Sequence, residues 1–494
     1  MLSLGIDVGS SSVKIAIYDH RLGKAVASGQ YPSTEMKIIA YQAGWAEQEP
    51  DWWWQAFLAA YQKAIEHSTI NTLDIQTIGI SYQMHGLVCL DKNGNPLRPS
   101  IIWCDSRAVE IGQSALQALG NDYAFNHLLN SPGNFTASKL KWIKEYEPDI
   151  FEQIHKICLP GDYIAYKLTG KLTTTITGLS EGIFYDFKAK MLSQPLLEYY
   201  GFSSDIFPTI KNAFDHHGTL VASIADELRL SHQAEVTYKA GDQPNNALSL
   251  NVLNAGEIAA TAGTSGVVYG VSDHLFIDYS QRVNSFAHVN YQFDHPKIGI
   301  LLCVNGVGIA NAWANKWTKA ESYAQMNDDA MKIPMGSEQL QFLPFGNGAE
   351  RMLGNAAIEA NLMGINFNRH TPAHLYRAVQ EGIAFAFMFG MEAFNENNIS
   401  LSVIRAGYAN MFLSPLFGEI LATLSGVAIE LYDTDGALGA ARGALVGGKL
   451  TDLQEVFKGL NKIKTYEPNL SDQAEYRAYY QKWKHLLNQR LHNL

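Results

Sequence analysis

Apolar and polar positions fall into short blocks from the start of the chain. Leu2 to Tyr18 is largely apolar on either side of a turn at Gly9-Ser10-Ser11-Ser12, which predicts strand, turn, strand. Val26 to Tyr31 predicts a third strand and completes an antiparallel meander with the turn exposed at one end. The period then lengthens. Trp54, Phe57, Leu58 and Tyr61 recur at helical spacing, and Pro50 and Asp51 suit a helix start, so Pro50 to Glu66 predicts a helix. The run Trp52-Trp53-Trp54 reads as packing of that helix. Thr77 to Ser81 predicts a short buried strand leading into Gln83-Met84-His85-Gly86. Leu87 to Leu90 continues as strand, and Asp91 to Asn95 is a hairpin turn. Strands and helices alternate from there, which gives an α/β protein. The charged stretch Asp472 to Asn493 predicts an outer packing helix.

The run Ala240-Gly241-Asp242 closes the first half, and the second half opens as the first does. Glu257 to Ala262 predicts a strand, Gly263-Thr264-Ser265-Gly266 a turn, and Val267 to Val271 a strand. A distant duplication accounts for this; on the turns alone, ordinary turn chemistry accounts for it better. The division expected is residues 1–247 and 248–494, with no Pro/Ser-rich linker between them.

The 494 residues fit either about three average domains or two large α/β lobes. With 47% apolar and 17% charged residues, the chain carries enough core to exclude disorder. A net charge of −11 argues against a nucleic-acid partner. It leaves room for a phosphate site, because backbone amides and a metal ion hold phosphate without a basic surface. Cys89, Cys104, Cys158 and Cys303 form no CxxC pair and read as buried, reduced thiols. No signal-type segment or membrane-length apolar run is present, so the expectation is a soluble, cytoplasmic protein with no membrane partner.

Two acids then stand out. Asp7 and Asp242 each follow an apolar strand pattern and precede a turn. Beside Asp7, Gly9 lets an anion approach the backbone, Ser10, Ser11 and Ser12 can donate to phosphate oxygens, and Lys14 can lend charge. Asp7 itself can hold Mg²⁺ together with phosphates, or it is a structural turn acid. Asp242 can accept the proton of an attacking alcohol. It can equally be a turn acid or helix cap, since Gly241-Asp242-Gln243-Pro244 is turn chemistry. Thr264 and Ser265 resemble a second phosphate cradle. Gly308, before a helix starting near Ala310, and Gly407, Tyr408 and Asn410 are candidates for covering a nucleotide. Gln83, Met84 and His85 suit a polyhydroxylated ligand, with Trp45, Trp103 and Asp105 as candidate helpers. Neither a Walker-type loop nor a well-placed GxGxxG is present.

The ordered run of these motifs resembles the FGGY carbohydrate kinases of the actin-like ATPase superfamily, from about Leu2 to Gly448. The likeness rests on Gly5-Ile6-Asp7-Val8-Gly9-Ser10-Ser11-Ser12-Val13-Lys14, Gly44-Trp45-Ala46-Glu47-Gln48-Glu49-Pro50 and Gln83-Met84-His85-Gly86. It extends through Arg98 to Arg107, Phe135 to Trp142, and the stretches Ala360 to Ile365 and His374 to Gly382. Within that family the chain is most similar to members acting on xylulose. The resemblance implies two actin-like, ribonuclease H-like lobes around a cleft. It implies transfer of the γ-phosphoryl of ATP, with Mg²⁺, to a sugar hydroxyl, D-xylulose giving D-xylulose 5-phosphate. By the same resemblance Asp242 is the base, Asp7 lies near the metal, and Met84 and His85 contact the sugar. Thr264, Gly308, Gly407 and Asn410 lie near ATP. Another ketose, a polyol, or a catalytically silent sugar sensor are the alternatives. Dimers are common in such kinases, which leaves a homodimer open. Two positions depart from the pattern: Gln243 follows the base where xylulose-specific members carry Asn, and the adenine-side loop reads Ala406-Gly407-Tyr408-Ala409.

Overall fold

The computed structural model describes residues 1–493. Two large sheets share one plan. In the first, Leu2–Val8, Val13–Asp19 and Lys24–Tyr31 form the antiparallel meander. Ile75–Tyr82 then pairs parallel to Leu2–Val8, Glu235–Gly241 parallel to Ile75–Tyr82, and Phe214–Thr219 closes the edge antiparallel. In the second, Glu257–Ala262, Gly266–Ser272 and Ile298–Val304 form the meander, and Val403–Gly407 and Ile429–Tyr432 add parallel strands. Asn284–Ala287 and Lys462–Tyr466 take its two edges. This repeated order is that of the actin-like, ribonuclease H-like fold. The two Gly-Ser turns are therefore the same position in two copies of one plan, and not ordinary turn chemistry as the turns alone suggest.

The central strands are apolar on both faces because both faces are covered. Leu4, Ile6, Val8, Ile78 and Ile80 are fully buried. The helix Pro50–Glu66 covers one face with Trp53, Phe57, Ala60 and Tyr61, as its spacing predicts. The other face is covered by Gly436–Gly447, a helix from the far end of the chain. Eight of its 12 residues are Gly or Ala, and the approach is backbone to backbone. A Cβ on Gly5 would lie 1.8 Å from the Ala437 carbonyl oxygen, and one on Gly79 would lie 1.9 Å from that of Ala440. Only glycine fits at either strand position.

Several expectations are corrected. The third strand begins at Lys24, and the helix expected near Ala310 begins at Gly308. Asp242 opens the helix Asp242–Ser249, with Gly241 as its N-cap, where the sequence suggested a turn. Pro244 is accommodated because the first helical turn has no partner for its missing N–H. The thiols are not all buried: Cys89 and Cys158 are, Cys104 is exposed and Cys303 is half-buried. The last helix, Gln473–His492, packs as expected, with Trp483 donating its indole N–H to the Phe342 carbonyl at 2.8 Å.

Candidate active site

Strand register brings the two acids to one edge. Asp7 pairs with Ser81 on the neighbouring strand, and Ser81 pairs with Ala240 on the next. Adjacent strands lie about 4.8 Å apart, so the Asp7 and Ala240 backbones are about 10 Å apart across the sheet. Gln83, Met84 and His85 leave the middle strand between them. Asp7 accepts a 2.8 Å hydrogen bond from the Ser81 hydroxyl on Oδ1. A Cβ on Gly436 would lie 2.5 Å from its Oδ2, so this oxygen faces bare backbone. Burial raises the Asp7 carboxyl above its ordinary range; the Ser81 bond opposes this and the Asp435 charge adds to it. Asp242 Oδ1 is buried with no partner. Burial first, and then the charge of Asp7, push the Asp242 carboxyl up to about 7.

His85 sits in the left-handed region at φ 62°. Its Nδ1–H donates to the Glu181 carbonyl at 2.9 Å, which fixes the tautomer and leaves Nε2 as an acceptor. Its ring is enclosed by Phe135 and Phe286, at centroid distances of 4.9 Å and 5.5 Å. Burial, with the Lys139 charge behind it, pushes the imidazole down to about 3, so it is neutral. Lys139 is itself fully buried and donates to the carbonyls of His85 at 3.0 Å and Ile102 at 2.9 Å. Burial pushes this ammonium down to about 7, against the pull of Asp105. Gln83 is buried, donates to Gln48 at 3.1 Å, and keeps Oε1 unpartnered.

The other first-half candidates divide. Ser10 accepts from the Trp103 indole at 3.3 Å, and Trp103 is otherwise exposed. Ser11 and Lys14 are exposed, whereas Ser12 is turned inward to accept from Gln30 at 3.0 Å. Gly9 closes the turn through its amide to the Ser12 carbonyl at 3.0 Å. Asp105 is fully buried. Its carboxylate is taken up by Arg107 at 2.7 Å and by the amide of Ala46 at 2.6 Å. Trp45 is covered by the Arg107 guanidinium, 3.8 Å from its ring. Both residues fix the loop that carries Trp103, through an arrangement that joins two segments, Trp45-Ala46 and Asp105 to Arg107.

In the second half, Gly263-Thr264-Ser265-Gly266 meets the start of Gly308–Thr318. Gly308 and Ile309 donate their amides to the carbonyls of Gly263 at 2.8 Å and Thr264 at 3.1 Å. Thr264 and Ser265 are exposed, as are Tyr408 and Asn410 after the parallel strand Val403–Gly407. Gly263, Thr264, Gly308 and Asn410 line one cavity of about 510 Å³, with Tyr323 and Asn327 opposite. Its volume suits a nucleoside, and its walls mix apolar and amide groups. Gly407 and Tyr408 lie at the adjacent strand end, and Tyr408 donates its amide to Tyr432 at 2.9 Å.

Sequence reasoning gives no role to two neighbours of this site. Glu181 ends the short helix Ile176–Glu181 within a Thr/Gly-rich run, and Lys139, although inside the Phe135 to Trp142 stretch that carries the family likeness, sits in the amphipathic helix Thr136–Tyr146, where a lysine reads as a solvated residue. Only the fold shows that both are buried against His85.

The comparisons with known proteins bear on family and fold. Residues 2–249 match the N-terminal domain of the FGGY family of carbohydrate kinases, and residues 258–447 match its C-terminal domain. A xylulose kinase of Bacillus subtilis (strain 168) is 27% identical over 98% of this chain and 96% of its own. Among solved structures, a xyloylose kinase from Brucella ovis superposes with a TM-score of 0.89 at 26% identity, covering 100% of both chains. A gluconate kinase from Lactobacillus acidophilus superposes with a TM-score of 0.87 at 25% identity, covering 99% of both chains. The chain belongs to the FGGY family of carbohydrate kinases.

Proposed function

We propose that this carbohydrate kinase transfers the γ-phosphoryl group of ATP to a ketose hydroxyl, D-xylulose being converted to D-xylulose 5-phosphate. The observation that carries the reading is the Asp242 carboxyl. It stands at a strand end with one oxygen unpartnered, next to Met84 and His85 and across from Asp7. A base poised near neutral pH accepts the acceptor's proton as the oxygen attacks phosphorus. His85 Nε2 accepts from a sugar hydroxyl, Gln83 and Met84 shape the floor, and Trp103 closes the rim. Residues 1–247 supply this acceptor side, joined by the helix Gly436–Gly447. Residues 248–494 supply the nucleotide side through Thr264, Ser265, Gly308, Gly407, Tyr408 and Asn410. The turn Gly9 to Ser11 and Lys14 face the phosphates.

Asp7 fits a magnesium site: one oxygen is oriented by Ser81, and the other lies against the bare backbone of Gly436. A magnesium ion there supplies neutralisation of phosphate charge. Closing the halves over the acceptor excludes water, so that the sugar and not solvent receives the phosphoryl group.

Xylulose is favoured as acceptor by the curated relatives. The rival is another acceptor with the same chemistry, favoured by Gln243 after the base and by the likeness to a gluconate kinase. A coupled ADP-release assay over ketopentoses, deoxyketoses, polyols and aldonates separates them. Strong turnover on xylulose is expected; no turnover on xylulose with strong turnover on another sugar would reassign the acceptor.

A further inference from the structure

Glu181 has no role in the reaction described above, yet it packs against Gly241, the residue before Asp242. It is 1% exposed, and its Oε1 is buried with no hydrogen-bond partner. A Cβ placed on Gly241, the residue before Asp242, would come within 2.5 Å of both Glu181 Oε2 and Met84 Cγ. The carboxyl therefore touches the backbone that aims Asp242 and the side chain next to His85. Its own carbonyl holds the His85 Nδ1–H at 2.9 Å. The titratable groups facing it are Asp242, Asp162, Tyr82, Tyr269 and His85. None is a cation: His85 is neutral, and Asp162 is committed to Lys239 at 2.5 Å.

A buried carboxyl beside a second carboxyl, with no cation paired to it among the described residues, keeps its proton. Burial and then the Asp242 charge push the Glu181 carboxyl well above its usual range. Two carboxyls that share a site do not both ionise, so with Asp242 ionised as the base Glu181 stays neutral. A neutral carboxyl is a donor as well as an acceptor. Among the unpartnered groups here, Asp242 Oδ1 and Gln83 Oε1 can only accept, and the Tyr82 hydroxyl, which can donate, faces Glu181 itself. A sugar bound against acceptors alone would leave one of its own oxygens without a donor.

We propose that Glu181 is a specificity-determining residue of the acceptor site: a carboxylic acid that donates a hydrogen bond to one oxygen of the bound sugar and so selects which hydroxyl faces Asp242. This rests on the sugar-kinase reading above and names a contact that reading does not contain. A site built to donate to an oxygen rejects the analogue that lacks it, because the donor is then buried unpaired.

The test uses the full-length enzyme, its best acceptor, and a set of mono-deoxy analogues. In Glu181→Leu, the acceptor KM rises about 10- to 100-fold, the loss of one buried hydrogen bond, while the KM for ATP stays within about twofold. One deoxy analogue, poor with the parent enzyme, becomes as good as the full sugar. Glu181→Gln keeps a donor and loses less. Because the parent residue is already neutral, the acid limb of kcat/KM does not move in Glu181→Gln. Unchanged acceptor KM and unchanged deoxy discrimination in a folded Glu181→Leu overturn the proposal. So does an acid limb that falls by about one pH unit or more in Glu181→Gln, since that shows an ionised Glu181 had been raising Asp242. If Glu181→Leu gives no cooperative melt, Glu181→Met, of similar length and without a donor, takes its place with the same expected and overturning results. A parent enzyme inactive on every sugar sinks the underlying kinase reading instead, a separate outcome.

Discussion

Replacing Gly308 by Ala tests the nucleotide side of the account through one bond length. A Cβ at this position would stand 2.4 Å from the Gly263 carbonyl oxygen and 3.0 Å from its carbon. Both are backbone atoms, so no side chain can swing aside. Ordinary contact begins at about 3.5 Å, and the two loops must separate by about 1 Å. That movement breaks or stretches the amide bonds from Gly308 to Gly263 at 2.8 Å and from Ile309 to Thr264 at 3.1 Å. At about 1 kcal/mol each, the fold loses about 2 kcal/mol of its stability. The larger effect falls on the nucleotide, whose cradle Thr264 is pulled away from the opening of the helix. A displacement of about 1 Å in a positioning element costs about 100-fold. The assay is ADP release with ATP and acceptor titrated separately, alongside a thermal melt. The expected result is a loss of about 100-fold in kcat/KM for ATP, with the acceptor KM within about threefold. A folded Gly308→Ala enzyme with ATP kinetics unchanged would refute the placement of the nucleotide between these loops.

Two further outcomes follow from the electrostatics. Asp242 must be ionised to act, and its carboxyl is pushed up to about 7, so kcat/KM should rise with pH to a plateau above about 7 and fall about tenfold by pH 6; a flat profile between pH 5 and 8 argues against this base. The same upward shift favours the neutral acid in the folded chain, so its contribution to stability is whole below the ordinary value of 3.8 and is lost as pH climbs through about 7; this appears as a lower melting temperature at pH 8 than at pH 6 for the parent and not for Asp242→Asn. Lys139→Met leaves the carbonyl of His85 without its donor, at about 1–3 kcal/mol, and that of Ile102 with only the Asp105 amide at 3.2 Å, which loosens the left-handed turn at His85. Its acceptor KM should rise well above any change in the KM for ATP, and equal effects on both would mark Lys139 as a general stabiliser.

What could be read before folding was whatever is local. Asp7, Asp242 and the two Gly-Ser turns are legible because each follows a run of apolar residues that can only be a buried strand. The helix Pro50–Glu66 announces itself by spacing. Relations between distant segments leave no such trace. The helix Gly436–Gly447 is mostly Gly and Ala, so its periodicity names no partner; it covers the first sheet because Gly5 and Gly79 admit its backbone. Asp105 reads as a polar candidate beside Trp103, and its burial follows from Arg107 and Ala46 arriving together. Glu181 sits in a Thr/Gly run with no repeat, and its proximity to Gly241 arises only when the strand Glu235–Gly241 is in place. The strand order also resolves what the turns leave open, since two copies of one arrangement are visible only once pairing is known.

The central claim is that Asp242 removes the acceptor's proton. Single-turnover phosphoryl transfer by Asp242→Asn, with acceptor affinity measured on the same preparation by calorimetry, addresses it directly. The account requires transfer to slow by about 100- to 10,000-fold while the sugar still binds within a few-fold of the parent. Transfer at the parental rate in a protein that binds sugar normally would contradict it.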